Sequence, residues 1–254
     1  MSILDQFKLT GKVAIVTGAS RGLGQGMAIA LAEAGADIVA VSFENPVETK
    51  AKVEALGRKC LAVQSDLSQG QEVAQAAAEA AVAAFGRIDI LVNNAGIIRR
   101  ADFLDFTKKD WDDVMKINID CVFYLSQAVG RVMAKQGSGR IINIASMLAF
   151  QGGIRVPSYA ASKSAVAGLT RLMACELGPK GINTNAIAPG YMATDNTTAL
   201  REDAARNKAI LERIPVGRWG TPEDLMGMVV FLASPASSYC NGFVYAVDGG
   251  WLAR

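Results

Sequence analysis

The sequence predicts one doubly wound α/β domain: a parallel sheet of about seven strands with helices on both faces. Two observations predict it. Short β-rich runs alternate with longer helical stretches along the whole chain, and most of those runs are continuously apolar rather than alternating. Continuous apolarity suits strands covered on both faces, and strand–helix alternation with right-handed crossovers builds a parallel sheet. At 254 residues, 51% of them hydrophobic, the chain is long enough for one large core.

The elements follow in order. "KVAIVTG" from Lys12 is the first strand and leads into a helix over about 22–34. "ADIVAVSF" from Ala36 and "CLAVQSD" from Cys60 are the next two, followed by helices at about 47–56 and 68–85. Both helices are rich in alanine and charge and are expected to lie at the surface. "IDILVNNAG" from Ile88 precedes one long helix at about 108–135, and "RIINIAS" from Arg140 precedes another at about 158–177. "INTNAIAP" from Ile182 and "GFVYAVDGG" from Gly242 close the sheet, with a helix at about 222–233 between them. The segment from about 192 to 220 fits no strand–helix unit and reads as an insertion of short helices on the substrate side. No linker or repeat divides residues 1–254, so a single domain is expected.

Composition excludes several functions. A net charge of +2 without a basic run or aromatic-studded basic face does not suggest a nucleic-acid partner. No apolar stretch approaches the ~18 residues of a transmembrane helix, and the N-terminus does not resemble a signal peptide, so a cytoplasmic protein is expected. Cys60, Cys121, Cys175 and Cys240 form no CxxC pair and read as reduced thiols. The chain has no histidine, which removes Ser-His-Asp hydrolysis, Cys-His proteolysis and the common zinc sites. Acid–base work must come from a carboxylate or from a tuned lysine, cysteine or tyrosine. No metal is expected.

"VTGASRGLGQG" directly follows the first strand. Gly18, Gly22 and Gly24 form G-x-x-x-G-x-G at a strand-to-helix turn. Such glycines permit a tight turn and let a diphosphate approach a helix N-terminus. An acidic residue often ends the second strand and holds the adenosine ribose, but here the count lands on Ser42, with Phe43 and Glu44 after it. Arg21, inside the loop, is a cation for a 2′-phosphate. The two cues conflict. Asp66, after the third strand, is either a contact to the adenine amino group or a helix N-cap.

Four further pieces line up: "NNAG" at 93–96, "KINI" around Asn118, "IINIAS" ending at Ser146, and Tyr159-x-x-x-Lys163. With the glycine loop and "APGYMAT" at 188–194, they resemble the short-chain dehydrogenase/reductase family from end to end. The resemblance implies a Rossmann-type fold and an oxidoreductase that transfers hydride to or from a nicotinamide cofactor. It implies a cofactor held by Gly18, Ser20, Arg21, Gly22, Leu23, Ser42, Asp66, Leu67, Asn93, Ala95, Gly96, Tyr159, Lys163, Pro189, Gly190, Met192 and Thr194. Within the family, "NNAGIIRR", "RIPVGRWG" and "AVDGGWLAR" are similar to its keto-deoxy sugar-acid dehydrogenases, which implies a sugar-acid substrate and NAD, with NADP use possible. Another reductase of the same family, acting on 3-oxoacyl thioesters, and a non-catalytic dinucleotide sensor are the competing readings.

Tyr159 and Lys163, four residues apart, share one helix face. A tyrosine must have its pKa of about 10 lowered to act as a base near neutrality. The lysine ammonium and an oxidised nicotinamide ring are expected to lower it. Ser146 is expected to hydrogen-bond the reacting oxygen, and Asn118 resembles the family residue that holds a water linking the lysine to solvent. Arg99, Arg100, Gln151 and Arg155 are candidates for binding the substrate, its carboxylate above all. Trp219 and Trp251 either line the pocket or pack. Apolar residues such as Val122, Leu125, Val129 and Met133 on the long helices suggest a partner, and the resemblance implies a homotetramer.

Overall fold

In the computed structural model, which describes residues 2–254, the seven expected runs are all strands. They are β1 Val13–Thr17, β2 Asp37–Ser42, β3 Cys60–Gln64, β4 Ile90–Asn93, β5 Gly139–Ile144, β6 Ile182–Pro189 and β7 Val244–Val247. All pair in parallel, in the order β3-β2-β1-β4-β5-β6-β7. The chain starts in the middle of the sheet, winds out to β3, then returns to the other side of β1. That reversal opens a crevice outside the carboxyl ends of β1 and β4, where ligands bind in this architecture.

Each strand of the sheet's centre is buried on both faces because successive side chains point opposite ways. Ala14 and Val16 of β1 join one core with α1 (Gly22–Glu33) and α9 (Glu223–Ala233), through Met27, Leu31, Leu225 and Val229. Val13 and Ile15 join the other core with α3 (Gln71–Phe85) and α5 (Cys121–Gln136). The alanines of α3 are its inward face: Ala74, Ala77, Ala78 and Ala81 are all buried, so the helix can lie close to the sheet. Its charged residues and those of α2 (Val47–Ala55) face outward, as expected of surface helices.

The long helix expected at about 108–135 is not continuous. It is α4 (Lys108–Met115), a single π turn at Lys116–Asp120, then α5. The extra residue in that turn carries Asn118 inward, where it is fully buried. Such turns often mark functional sites, and the apolar period of the sequence does not reveal the insertion. The other long helix, α6, runs Pro157–Leu177 with proline in its first turn. Between β6 and α9 lie the short helices α7 (Thr198–Glu202) and α8 (Ala204–Arg213), in the segment read as an insertion.

Val122, Leu125, Val129 and Met133 do not form a second apolar face; the protomer buries all four. The large apolar residues that α5 and α6 leave exposed are Phe123 and Leu172. Among the described residues no helix is long and apolar enough to cross a membrane.

The β1–α1 turn has no room for side chains. A Cβ on Gly24 would lie 2.1 Å from the Gly18 carbonyl oxygen, and Gly18 itself has φ +63°. Gly24→Ala should therefore destabilise the protein by about 1–3 kcal/mol, the usual cost of overpacking, and disrupt the loop. A denaturant midpoint equal to that of the natural protein would show that the loop can yield.

Candidate active site

The glycine loop presents a cradle that fits a dinucleotide diphosphate. Arg21 is the N-cap of α1 but its side chain caps nothing, and the first turn holds no acidic residue. The helix's first N–H groups thus face the crevice with their positive dipole end uncompensated. Gly22 has φ +57°, and a Cβ there would meet nothing nearer than Thr194 Cγ2 at 4.0 Å. Leu23 packs into the core below. Ser42 is buried at the end of β2 and donates to Ser20 Oγ at 3.0 Å.

Asp66 is an N-cap. Its carboxylate accepts from the Ser68 N–H at 3.0 Å, the Ser68 hydroxyl at 2.6 Å and Gln69 Nε2 at 2.9 Å. These bonds hold it below the ordinary aspartate pKa. Leu67 beside it is buried in the α3–α5 core. The Asn93 amide is committed elsewhere than to the crevice: it donates to Ser126 Oγ and Asn143 Oδ1, both at 2.9 Å. Asn143 continues this buried polar chain to Thr170. Pro189 ends β6, and a Cβ on Gly190 would lie 2.6 Å from the Asp248 Cα. Met192 forms a bridge with Gly220, and Thr194 caps the helical turn Asp195–Thr197.

The catalytic candidates converge. Ser146 follows β5, and its hydroxyl accepts from the Leu148 N–H at 3.2 Å. It lies near Tyr159, which α6 carries, and favours the ionised form of that phenol. One turn further along α6, Lys163 is 5% exposed, and its Nζ donates to the Ile144 carbonyl at 2.6 Å. Nζ lies 5.6 Å from the Tyr159 ring centroid. Asn118 donates to Ile97 O at 3.0 Å and Ser162 Oγ at 3.1 Å, and accepts from the Ile97 N–H at 2.9 Å. Gly96 sits between them: a Cβ there would be 3.3 Å from Asn118 Oδ1 and 3.7 Å from Lys163 Nζ. Ala95, one residue earlier, fixes this turn by donating its N–H to Thr17 Oγ1 at 2.9 Å.

The substrate candidates separate. Arg99 turns to α4, with Asp110 at 3.6 Å and Asp113 at 3.8 Å. Arg155 has φ +63° and pairs with Asp102 at 2.9 Å. Arg100 has no carboxylate partner among the described residues, and its charge acts on Tyr159 and Tyr191. It is partly desolvated and donates to the Asn196 carbonyl at 3.0 Å. Gln151 accepts from Arg213 at 3.4 Å, and Arg213 stacks over Trp251 at 4.0 Å. Trp219 and Trp251 pack edge-on against Tyr191, with centroids 5.4 and 4.7 Å away.

Sequence reasoning missed Asn94 and Asp195. Asn94 donates to Thr17 O at 2.9 Å and Gly18 O at 3.3 Å, pinning the glycine loop to the β4 turn. The "NNAG" motif held that signal. Asp195 pairs with Arg21, which nothing in the sequence indicates. Among the described residues no cluster of acidic, cysteine or histidine side chains could hold a metal.

A family model described as enoyl-(acyl carrier protein) reductase matches residues 18–252. A 2-dehydro-3-deoxy-D-gluconate 5-dehydrogenase of Dickeya dadantii (strain 3937) is 62% identical over 253 residues, covering 99% of this chain and 100% of that protein. This chain belongs to the short-chain dehydrogenase/reductase family. Two solved structures are similar throughout. A protein of Agrobacterium tumefaciens, assigned as a 2-deoxy-D-gluconate 3-dehydrogenase and holding NADP, is 53% identical with a TM-score of 0.92, covering 98% of this chain and 99% of its own. A gluconate 5-dehydrogenase of Burkholderia cenocepacia J2315, in complex with NADP and tartrate, is 40% identical with a TM-score of 0.94 over 100% of both chains.

In this short-chain dehydrogenase/reductase the free site does not prepare a phenolate. Burial raises the Tyr159 pKa; the Ser146 hydroxyl and the Arg100 charge pull it down without reversing the shift. Burial lowers Lys163 from 10.5 to about 8. Between these values the unfolded chain holds a proton that the folded lysine has lost, so its contribution to stability rises with pH across that window. Below about pH 8 the cost of burying the ammonium is fully present. Lys163→Met should therefore gain stability relative to the natural protein at pH 7. That gain should shrink by up to about 3 kcal/mol as pH approaches 10. Urea unfolding of both proteins across that range measures it, and a constant difference would contradict burial of a charged lysine.

Proposed function

We propose that this chain is a nicotinamide-dependent dehydrogenase that interconverts a ketone and an alcohol at C5 of 2-dehydro-3-deoxy-D-gluconate. The single observation that carries this reading is the position of Arg100. It is a partly desolvated cation whose charge faces Tyr159 and which has no acidic partner among the described residues. A substrate with a carboxylate supplies the missing anion, and a guanidinium holds carboxylates through paired, charge-assisted hydrogen bonds. The Dickeya dadantii relative's name supplies the sugar acid and the carbon. An acyl reductase, as the family model's description would have it, gives such an arginine no partner. A sensor gives the joined Ser146, Tyr159, Lys163 and Asn118 no role.

A nicotinamide dinucleotide held at the glycine loop of Gly18, Gly22 and Leu23 would supply the hydride acceptor in oxidation and the hydride donor in reduction. Tyr159 gives its hydroxyl proton to the carbonyl oxygen in reduction, and its phenolate takes the alcohol proton in oxidation. Ser146 donates to the same oxygen and stabilises its negative charge. Lys163, held by the Ile144 carbonyl, and Asn118 make up the polar route by which the tyrosine's proton exchanges with solvent. The residues from 192 to 220 cover the substrate. Ser42 at the end of β2 leaves the ribose without an acidic partner, and Arg21 is shared with Glu44. We therefore assign use of both NAD and NADP.

Following nicotinamide absorbance with a panel of keto-sugar acids, using each cofactor, tests this reading. Tyr159→Phe should lower kcat at least about a hundredfold, the scale of general acid–base catalysis, while binding of the cofactor persists. Arg100→Ala should raise KM for the sugar acid about tenfold or more, as expected for a charged hydrogen bond. An unchanged KM would remove the carboxylate role.

A homotetramer built on α5 and α6 completes the proposal. A groove of ≈ 480 Å³ between these helices is lined by Ile119, Phe123, Leu169 and Leu172, an apolar surface that a second copy can cover. Light scattering at micromolar concentration should give four times the chain mass, and Leu172→Glu should reduce it. A monomer in the natural protein would refute the assembly.

A further inference from the structure

Arg21 reaches across the mouth of the crevice to two carboxylates. Its Nη1 donates to Glu44, at the turn after β2, and its Nε lies 2.9 Å from Asp195 Oδ2. Asp195 belongs to the segment beyond β6, and three strands, β1, β4 and β5, lie between β2 and β6 in the sheet. The bridge therefore joins the cofactor loop to the start of the segment that covers the substrate.

Asp195 is held in place from both sides. Thr194 before it and Thr197 after it bond reciprocally as a capping box, and the carbonyl of Asn196 accepts from Arg100 at 3.0 Å. These contacts fix the backbone from which the Asp195 carboxylate reaches Arg21. One guanidinium facing two carboxylates is surrounded by net negative charge. A dianionic phosphate that took Arg21 would meet both.

We propose that Asp195 is a determinant of cofactor choice, which disfavours a dinucleotide carrying a 2′-phosphate by competing with that phosphate for Arg21. The inference rests on the dinucleotide reading of the site. A ribose with free hydroxyls leaves the Arg21–Asp195 bridge intact; a ribose 2′-phosphate must displace it or bind beside an extra negative charge.

The test is the dissociation constants of NAD and NADP, measured by calorimetry without substrate, for the natural protein and for Asp195→Asn. Asp195 is exposed, so the fold should survive, and a thermal melt run alongside verifies this. Asparagine should improve binding of NADP relative to NAD by about three- to fivefold, the range an exposed ion pair supplies. The gain should vanish in an Arg21→Ala background, because the competition then has no object. It should also fade at about 1 M salt, where charges are screened within about 3 Å. An equal change for both cofactors, no change, or a gain that persists without Arg21 would overturn the proposal. Failure of the natural protein to bind either dinucleotide would instead remove the reading of the site on which it rests.

Discussion

Asn94 joins the two halves of the crevice, and the rest of the site depends on that junction. Its amide donates to the carbonyls of Thr17 and Gly18, while the N–H groups of Asn94 and Ala95 both donate to Thr17 Oγ1. These bonds fasten the end of β1 to the turn after β4, two neighbouring strands whose connections leave in opposite directions. They force Gly18 and Gly24 to lie against each other and the amide with no space for a Cβ. The same turn sets Gly96 against Asn118 and Lys163. The glycine loop and Lys163 are therefore placed by one short stretch of chain, through contacts that admit little adjustment in a close-packed interior.

The chemistry depends on charges the protein withholds. The i, i+4 spacing puts Lys163 below Tyr159, but its ammonium faces the Ile144 carbonyl and lies 5.6 Å from the ring centroid. The cation that draws the phenol down is Arg100, on another loop. Burial still dominates, so the free site keeps a protonated tyrosine beside an easily deprotonated lysine. An oxidised nicotinamide ring bound beside this tyrosine would add a positive charge that favours the phenolate. Burial is also the largest influence on Cys60 and Cys121, whose thiols are pushed up to about 11 and about 12, which disfavours the reactive thiolate.

The strands and the glycine loop were legible because both are local. Each β-rich run carries its own apolar signature, and the glycines mark a turn whose backbone only they can adopt. Tyr159 and Lys163 were legible because a helix fixes which residues share a face. Arginine destinations were not. Arg99, Arg100 and Arg155 are equivalent in type, and the first two are adjacent in sequence, yet two find carboxylates on the surface and one does not. What decides is which acidic residue the tertiary fold brings within reach, and Asp102, Asp110 and Asp113 carry no mark of that role in sequence. The π turn at Lys116–Asp120 was hidden for a related reason, since one extra residue in a turn barely disturbs the apolar period on either side.

The segment over the site is fastened in two chemically different ways. At its far end, α8 is held by Arg213 stacked on Trp251, by Trp219 donating to Asn207, and by Arg254 donating to the carbonyls of Glu212 and Arg213. Those contacts bury aromatic surface, and no small ligand can replace them. At its leading end, residues 195 and 196 are held by the guanidinium groups of Arg21 and Arg100. Each of those groups is one that an anionic ligand would claim. The segment is thus packed by aromatic side chains at one end and tied by two arginines at the other. An anion that claimed Arg21 would release the Asp195 carboxylate, and one that claimed Arg100 would release the Asn196 carbonyl, so the two contacts fall on consecutive residues of the chain.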